Sequence, residues 1–308
     1  MRSILIDCDP GHDDALAIIL AYAHPEVVKI LGITTVGGNQ TIEKVTENAK
    51  RVLEYIGADI PLVPGSSEPL VKPLLPQPEA HGESGMDGPV FPKQSSYPLA
   101  GTNAIEFLYQ KIQSTSEKVT LVALGPLTNV AKLLLAHPEL KEKIEQISLM
   151  GGGLNNGNVT PAAEFNIYVD PEAAQIVFQS GIPIVMAGLD VGEESTITLA
   201  EVESLKGKGK VATLAYELLK FYGESGKQFG FTDSPIYDAV SVAQLIKPEL
   251  FSGEYYTIDI VLDGVAQGMT LADRRRKPEE RNRIYVLMKV DRQGFSDLML
   301  DAFERLDR

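Results

Sequence analysis

The sequence predicts an α/β protein built on a single open, mainly parallel sheet with helices on both faces and an antiparallel C-terminal extension. Three observations carry this. Short, continuous apolar runs alternate with helix-length segments through roughly the first 190 residues. Polar residues gather where each run stops. From about residue 255 the apolar runs are separated only by short polar turns. Strands covered on both faces read as unbroken apolar runs, and parallel strands need the crossover helices that alternate with them here.

Taken in order, Ser3-Ile4-Leu5-Ile6 reads as a buried strand, followed by a helix over 13–23 with acids in its first turn. The pattern repeats as a strand at 28–36 and a helix at 41–57. It continues with strands at 118–124, 144–150 and 182–188, separated by helices at 127–136 and 171–180. Near the end, 255–262, 269–273 and 284–290 read as strands whose hairpins extend one edge of the sheet, before a closing helix at 296–306. The stretch 64–98 is rich in Pro, Gly and Ser and reads as irregular, a length that often carries function. No repeat or linker tract interrupts the chain, so 1–308 is expected as one domain of Rossmann-like type.

Composition narrows the function classes. A formal net charge of −14 opposes binding to nucleic acid phosphates or anionic lipid, which is achieved through clustered Lys and Arg. The densest basic run, Arg274-Arg275-Arg276-Lys277, is followed by Pro278-Glu279-Glu280 and reads as a solvated turn. No apolar stretch approaches 18 residues, the N-terminus lacks the pattern of a signal peptide, and the one cysteine, Cys8, cannot form an internal disulfide. A cytoplasmic location with no membrane partner is the expectation. Cys8 lies between two acids that oppose thiolate formation and reads as a packing residue. His24 and His137, each before a proline at a helix end, read as surface caps.

The stretch "DCDPGHDDA" places Asp7, Asp9, Asp13 and Asp14 within eight positions directly after a buried strand. In an open parallel sheet, ligands sit beyond the carboxyl ends of the strands. The other strand ends are polar too: "GGNQ" with Asn39, "LGPLTN", and "MGGGLNNGNVTPAAEFN" with Asn158, Glu164 and Asn166. Asp238, in "SPIYDAV", sits near the start of an apolar helix. Acids in a first helical turn can simply favour the helix dipole. Four of them around Pro10-Gly11 at the ligand end of a sheet call for a cation, because crowded like charges raise one another's pKa. With four histidines, no His-x-x-x-His pair and no Cys cluster, zinc is poorly supplied, and oxygen donors point to calcium or magnesium.

The segments "DCDPGHDDALAI", "ITTVGGNQT", "HGESGMDG", "LVALGPLTNVA" and "SLMGGGLNNGNVTPAAEFNIYVDPEAA" together resemble the nucleoside hydrolases of the inosine–uridine-preferring type. The likeness runs from residue 3 to about 190 and resumes at "YDAV" and "QGMTLAD". It implies hydrolysis of the N-glycosidic bond of ribonucleosides to free base and ribose. It further implies a Ca2+ ion held by Asp9, Asp14, the main-chain carbonyl of Leu124 and Asp238, with Asp9 as general base. Asp13, Asn39 and Asn166 would hold the ribose 2′- and 3′-hydroxyls, and Asn158 and Glu164 the 5′-hydroxyl. His81, Met150 and Phe165 complete the implied substrate-binding set, and the family likeness suggests a homodimer or homotetramer.

This chemistry suits the reaction, since an oxocarbenium-like ribosyl cation is stabilised by surrounding negative charge. One departure stands out: Tyr237 occupies the place where the resembled proteins usually have histidine beside the final aspartate. A phenol is a weaker acid than an imidazole by several pH units, although it still donates a hydrogen bond. Tyr237 is therefore the expected leaving-group donor of a site that leans to pyrimidine nucleosides, with His81 as a candidate neighbour. Phe221, Tyr222, Phe229 and Phe231 either cover the base or pack in the core. Two further readings are a nucleoside-binding protein with lost catalysis and an aspartyl phosphohydrolase using Asp7. The second lacks the usual continuation after its DxD. The glycine-rich "GGGLNNG" runs into Asn-Val-Thr-Pro rather than a helix, which excludes a dinucleotide fingerprint.

Overall fold

A computed structural model of the chain describes residues 1–275 and 283–308. β1 (Arg2–Cys8) turns into α1 (His12–Tyr22), followed by β2 (Val28–Thr35), α2 (Ile42–Ile56) and the short β3 (Leu62–Pro64). A long stretch holding only α3 (Pro78–His81) leads to α4 (Ala104–Ser114), β4 (Val119–Ala123), α5 (Thr128–Ala136) and β5 (Ile144–Met150). Then come α6 (Phe165–Val169), α7 (Pro171–Phe178), β6 (Ile184–Ala187), α8 (Leu189–Gly192), β7 (Thr196–Ile197) and α9 (Leu199–Ser204). The chain continues through α10 (Lys210–Gly226), β8 (Ser234–Pro235), α11 (Tyr237–Ile246), β9 (Phe251–Ile260), β10 (Thr270–Ala272), β11 (Arg283–Val290) and α12 (Arg292–Arg305).

Among the described residues, nine strands form one sheet in the order β10-β9-β11-β6-β5-β4-β1-β2-β3. β1 to β6 and β11 are parallel, and β9 alone runs against the rest. Alternation along β1 sorts its side chains between two cores. Ile4, Ile6 and Cys8 face the layer of α1, α2, α10, α11 and α12, while Leu5 faces α4, α5 and α7. α2 shows how local signals agree: Val45, Ala49, Val52 and Leu53 are buried on one side, and the helix stops at Gly57 in the left-handed region (φ 68°).

α1 differs from α2, because every residue from His12 to Ala21 is buried. It packs between the sheet, α11 and α12, so the acids in its first turn are not on a solvated face. The order of the sheet reverses at β1, which has β2 on one side and β4 on the other. Ligands bind at such switch points.

The expected strands and helices are all present with ends shifted by a few residues, the closing helix beginning at Arg292. β3, α3, α4, α6, α8, β7, α9 and β8 were not anticipated, α3 lying inside the stretch 64–98 that was expected to be irregular. β3 is three residues long, and α4 follows directly on the Pro-rich stretch that hides its start. His24 is not a surface cap: it is buried, and its Nδ1 donates to the Leu20 carbonyl at 2.9 Å. His137 is partly exposed and stacks on Tyr109 with ring centroids 3.9 Å apart. Cys8 is buried with its thiol toward the Thr34 carbonyl, as expected of a packing residue. Of the basic run, Arg274 reaches the Leu154 carbonyl and Arg275 pairs with Asp273, while Arg276 and Lys277 lie outside the described residues. No helix among the described residues is long and apolar enough to cross a membrane.

Candidate active site

The turn between β1 and α1 is organised by Asp14. Its carboxylate accepts the backbone N–H groups of Gly11 at 2.9 Å and Asp9 at 3.2 Å, which caps α1 and folds Pro10-Gly11 over the strand end. Asp9 is fixed from the neighbouring strand end, where Asn39 N–H donates to its Oδ2 at 2.7 Å and Asn39 Nδ2 to its carbonyl at 3.2 Å. Gly38 and Gly125 flank this carboxylate so closely that a Cβ at either would collide with it. The glycines of "GGNQ" and "LGPLTN" are there for close approach.

Asp13, Asp14 and Asp238 each offer an oxygen within 4.8 Å of the others, from the first turns of α1 and α11. Asp9, Asp13, Asp14 and Asp238 are all buried, and all four are held above the ordinary carboxylate range. Burial is the main cause for each. Asp14 adds its charge for Asp9 and Asp13, and Asp13 leads the charges acting on Asp238. Asp13 is pushed up to about 7. Behind them Asp7 is also raised to about 7 by burial, although Thr34 and Asn129 donate to its Oδ1 at 2.5 and 2.8 Å.

Four buried carboxylates with no Lys or Arg among the described lining residues form an oxygen-only donor set that fits a hard divalent cation. The expected ligand set shares Asp14 and Asp238 with the observed triad. Asp9 lies beside it, and the Leu124 carbonyl accepts Asn166 Nδ2 at 2.8 Å.

Asp13 and Asp238 form the floor of a cavity of about 370 Å³, while Asp9 and Asp14 adjoin them and are not among the described residues that line it. Asn39, Leu124 and Met150 line it from the strand ends, Asp13 and Asp238 from the first turns of α1 and α11, and Asn158, Glu164, Phe165 and Asn166 from the segment after β5. Glu164 caps α6, accepting the N–H groups of Asn166 (2.9 Å), Ile167 (3.2 Å) and Gly152 (2.9 Å), yet burial raises it to about 7. Asn158 spends its carbonyl on the Phe165 N–H at 2.9 Å. All the sequence-derived substrate residues therefore border one cavity.

Its other side comes from α10 and the segments after it. Tyr222, Phe229, Phe231 and Tyr237 line the cavity, whereas Phe221 instead stacks on His12 with ring centroids 5.0 Å apart. The Tyr222 hydroxyl faces Asp13 Oδ2 at 3.5 Å. His81 lines the cavity, stacked on Tyr222, with Nδ1 3.1 Å from His12 Nδ1. His12 Nε2 is 2.7 Å from the Asp87 carbonyl, which can only accept, so His12 carries its proton on Nε2. Burial holds His12 down at about 4 and, with His12 beside it, His81 at about 3. Both are uncharged imidazoles near neutral pH. Burial and the neighbouring carboxylates push the Tyr237 phenol further up from its ordinary value.

Three polar lining residues, Glu193, Gln77 and Ser225, escaped sequence reasoning. Glu193 follows α8 at the end of β6 and accepts Asn156 Nδ2 at 3.1 Å; the strand-end rule applied to β6 would have found it. Gln77 belongs to the irregular stretch and gave no signal.

The profile of the family described as inosine-uridine preferring nucleoside hydrolase matches residues 4–297. A pyrimidine-specific ribonucleoside hydrolase, RihA, of Salmonella agona (strain SL483) is 46% identical over 306 residues, covering 98% of each chain. Among solved structures, a plant nucleoside hydrolase, PpNRh1, superposes with a TM-score of 0.91 at 31% identity, over 98% of this chain and 99% of its own. A purine-preferring ribonucleoside hydrolase from Gardnerella vaginalis gives a TM-score of 0.92 at 28% identity, over 99% of both chains. The caged carboxylates at the switch point and the near-complete match over the chain lead to one conclusion: this protein belongs to the inosine-uridine preferring nucleoside hydrolase family and is an enzyme.

Proposed function

We propose that the enzyme hydrolyses the N-glycosidic bond of ribonucleosides, preferring pyrimidine bases, to free base and ribose. The observation that carries this reading is the floor of buried carboxylates beneath a cavity bordered by Asn39, Asn158, Glu164 and Asn166. A neutral polyol sugar suits such a floor, and the positive charge that develops on it during bond breakage suits it better. The pyrimidine preference is supported by the name of the Salmonella relative and by Tyr237, since a pyrimidine lacks the N7 of a purine that a stronger acid in this place would protonate.

Asp13, Asn39 and Asn166 hold the ribose 2′- and 3′-hydroxyls, and Asn158 and Glu164 the 5′-hydroxyl, with Met150 and Phe165 against the sugar. Asp9, Asp14, Asp238 and the Leu124 carbonyl would hold a divalent cation, which we assign as Ca2+ from the oxygen donors. When bound, the cation supplies charge neutralisation and polarisation of the attacking water. Asp9 accepts the proton of that water while Asn39 N–H steadies its Oδ2. Tyr237 donates a hydrogen bond to the departing base, and Tyr222, with neutral His81 behind it, walls the base from solvent. We further infer a cytoplasmic, single-domain protein that assembles as a homodimer or homotetramer.

A reducing-sugar assay over purine and pyrimidine ribonucleosides, with calcium and after chelation, tests the reading. Ribose release from uridine or cytidine that stops on chelation is the expected result. Tight nucleoside binding without base release, or release of phosphate from nucleotides alone, overturns it.

A further inference from the structure

The stretch "QGMTLAD" shares in the family likeness, yet no residue of it lines the cavity. It forms the turn into β10, an edge strand of the sheet. Thr270, at the start of that strand, is buried and turned onto the glycines that follow β5. Its hydroxyl donates to the Gly153 carbonyl at 2.7 Å and accepts the Gly153 N–H at 3.0 Å, so one side chain satisfies both backbone groups of that glycine. Its methyl group closes over Gly152, where an added Cβ would stand 2.7 Å from Thr270 Cγ2. Gly152, in the left-handed region with φ 74°, passes the constraint on: its N–H donates to Glu164 Oε2 at 2.9 Å. The same turn meets the other end of this segment. Gly268, with φ 82°, packs so tightly that an added Cβ would stand 2.7 Å from Tyr168 Cα and 3.1 Å from Ala163 Cβ. The loop that carries Asn158 and Glu164 to the cavity is thus gripped at both ends by the hairpin of β9 and β10.

On this basis, and resting on the hydrolase reading above, we propose that Thr270 is a positioning residue for the end of the sugar remote from the base, acting through Gly153 and Gly152 to hold Glu164 where it takes the 5′-hydroxyl. Glu164 is buried and is oriented by three N–H groups, one of which is that of Gly152. Loss of the Thr270 hydroxyl leaves the N–H and carbonyl of Gly153 unpaired away from water, and a glycine pair has the backbone freedom to shift in search of other partners. Such a shift withdraws a donor from Glu164. It leaves Asp13 and Asp238 on the floor, and the aromatic wall opposite, untouched.

The test compares uridine with 5′-deoxyuridine, which lacks only the group that Glu164 would hold, on calcium-loaded wild type, Thr270→Val and Thr270→Ser. Thr270→Val keeps the shape and removes the hydroxyl; Thr270→Ser keeps the hydroxyl. Uridine turnover is measured directly, and 5′-deoxyuridine is followed as its competitor. Thr270→Val is expected to lower kcat/KM for uridine about tenfold while the inhibition constant of 5′-deoxyuridine changes less than about twofold, and Thr270→Ser to restore uridine turnover. A merely structural role would weaken both ligands alike. Equal losses for the two, or uridine kinetics in Thr270→Val that match wild type, overturn this inference alone. Should Thr270→Val fail to fold, Thr270→Cys carries the same comparison, because its thiol is only a weak donor. Absence of ribose release from uridine by wild type overturns the hydrolase reading instead.

Discussion

Asp7 is buried behind the site and bonds to no substrate residue, so replacing it separates fold stability from chemistry. Its Oδ1 accepts from both Thr34 and Asn129, and the carbonyl of an asparagine can accept both as well. Asp7→Asn therefore removes a buried charge and keeps the two hydrogen bonds. Asp7 is raised from 3.8 to about 7 in the folded chain, so the folded state holds its proton over a window in which the unfolded state has lost it. Stability from this group is fully present below the unfolded value and is lost as pH rises through the folded one. At about 1.4 kcal/mol per pH unit, the buried Asp7 carboxyl costs the folded state about 4 kcal/mol at about pH 8, where it is ionised, and roughly 2 kcal/mol at about pH 5, where it keeps a proton the unfolded chain has lost. Asp7→Asn in metal-stripped protein is expected to be more stable than wild type near pH 8, with the gain about halved near pH 5. Urea unfolding at the two pH values measures this. A variant destabilised equally at both would show that Asp7 is not a strained charge, and the reasoning from burial would fail.

Asp9→Ala should lower kcat by about 10²–10⁴-fold, the span of a lost general base, with the circular dichroism spectrum unchanged; full activity would remove Asp9 from the mechanism. Gly38→Ala places a methyl group against the Asp9 carboxylate, so kcat should fall well below that of Gly101→Ala, a control whose added Cβ makes only ordinary contact, 3.7 Å from Val63 Cγ2. Calcium at about a hundred times its dissociation constant should stabilise the folded protein by about 2.7 kcal/mol, and an unmoved thermal midpoint would argue against a cation among these carboxylates. Tyr237→Phe should slow turnover of uridine and inosine; kinetics matching wild type on both would show that Tyr237 is not the donor.

Much of the architecture was legible because its causes are local. Unbroken apolar runs mark strands covered on both faces, and the acids and asparagines at their carboxyl ends mark the site, since a parallel sheet gathers those ends at one edge. The resemblance added roles to residues that the strand-end rule had already singled out. β3 and α4 were missed where the Pro-rich stretch interrupts the rhythm. His24 was misread because its sequence neighbours show a helix end and not the layer that covers it. That Asp13, Asp14 and Asp238 form the tight oxygen triad, with Asp9 beside them, depends on how two helix starts meet. Spacing along the chain does not encode that.

The base end of the cavity was least legible, for a physical reason. On the sugar side Asn39, Leu124 and Met150 come from strand ends, whose relative positions follow from hydrogen-bonded register, so those motifs converge automatically. The opposite wall comes from α10, the segment after it and the start of α11, held to α3 by Ser225 Oγ and Gln228 Nε2 on the carbonyls of Ala80 and Glu79. No sheet register ties those segments to the floor. An aromatic residue there reads equally as core or as pocket, and the cavity takes Tyr222, Phe229 and Phe231 while leaving Phe221 against His12. In such a construction the sugar-binding floor is constrained by the sheet, whereas the base wall can change residue by residue at little cost to the fold. Tyr237 with Gly192 beneath it and Glu193 beside it is a change of that kind, and base preference is the property it is placed to alter.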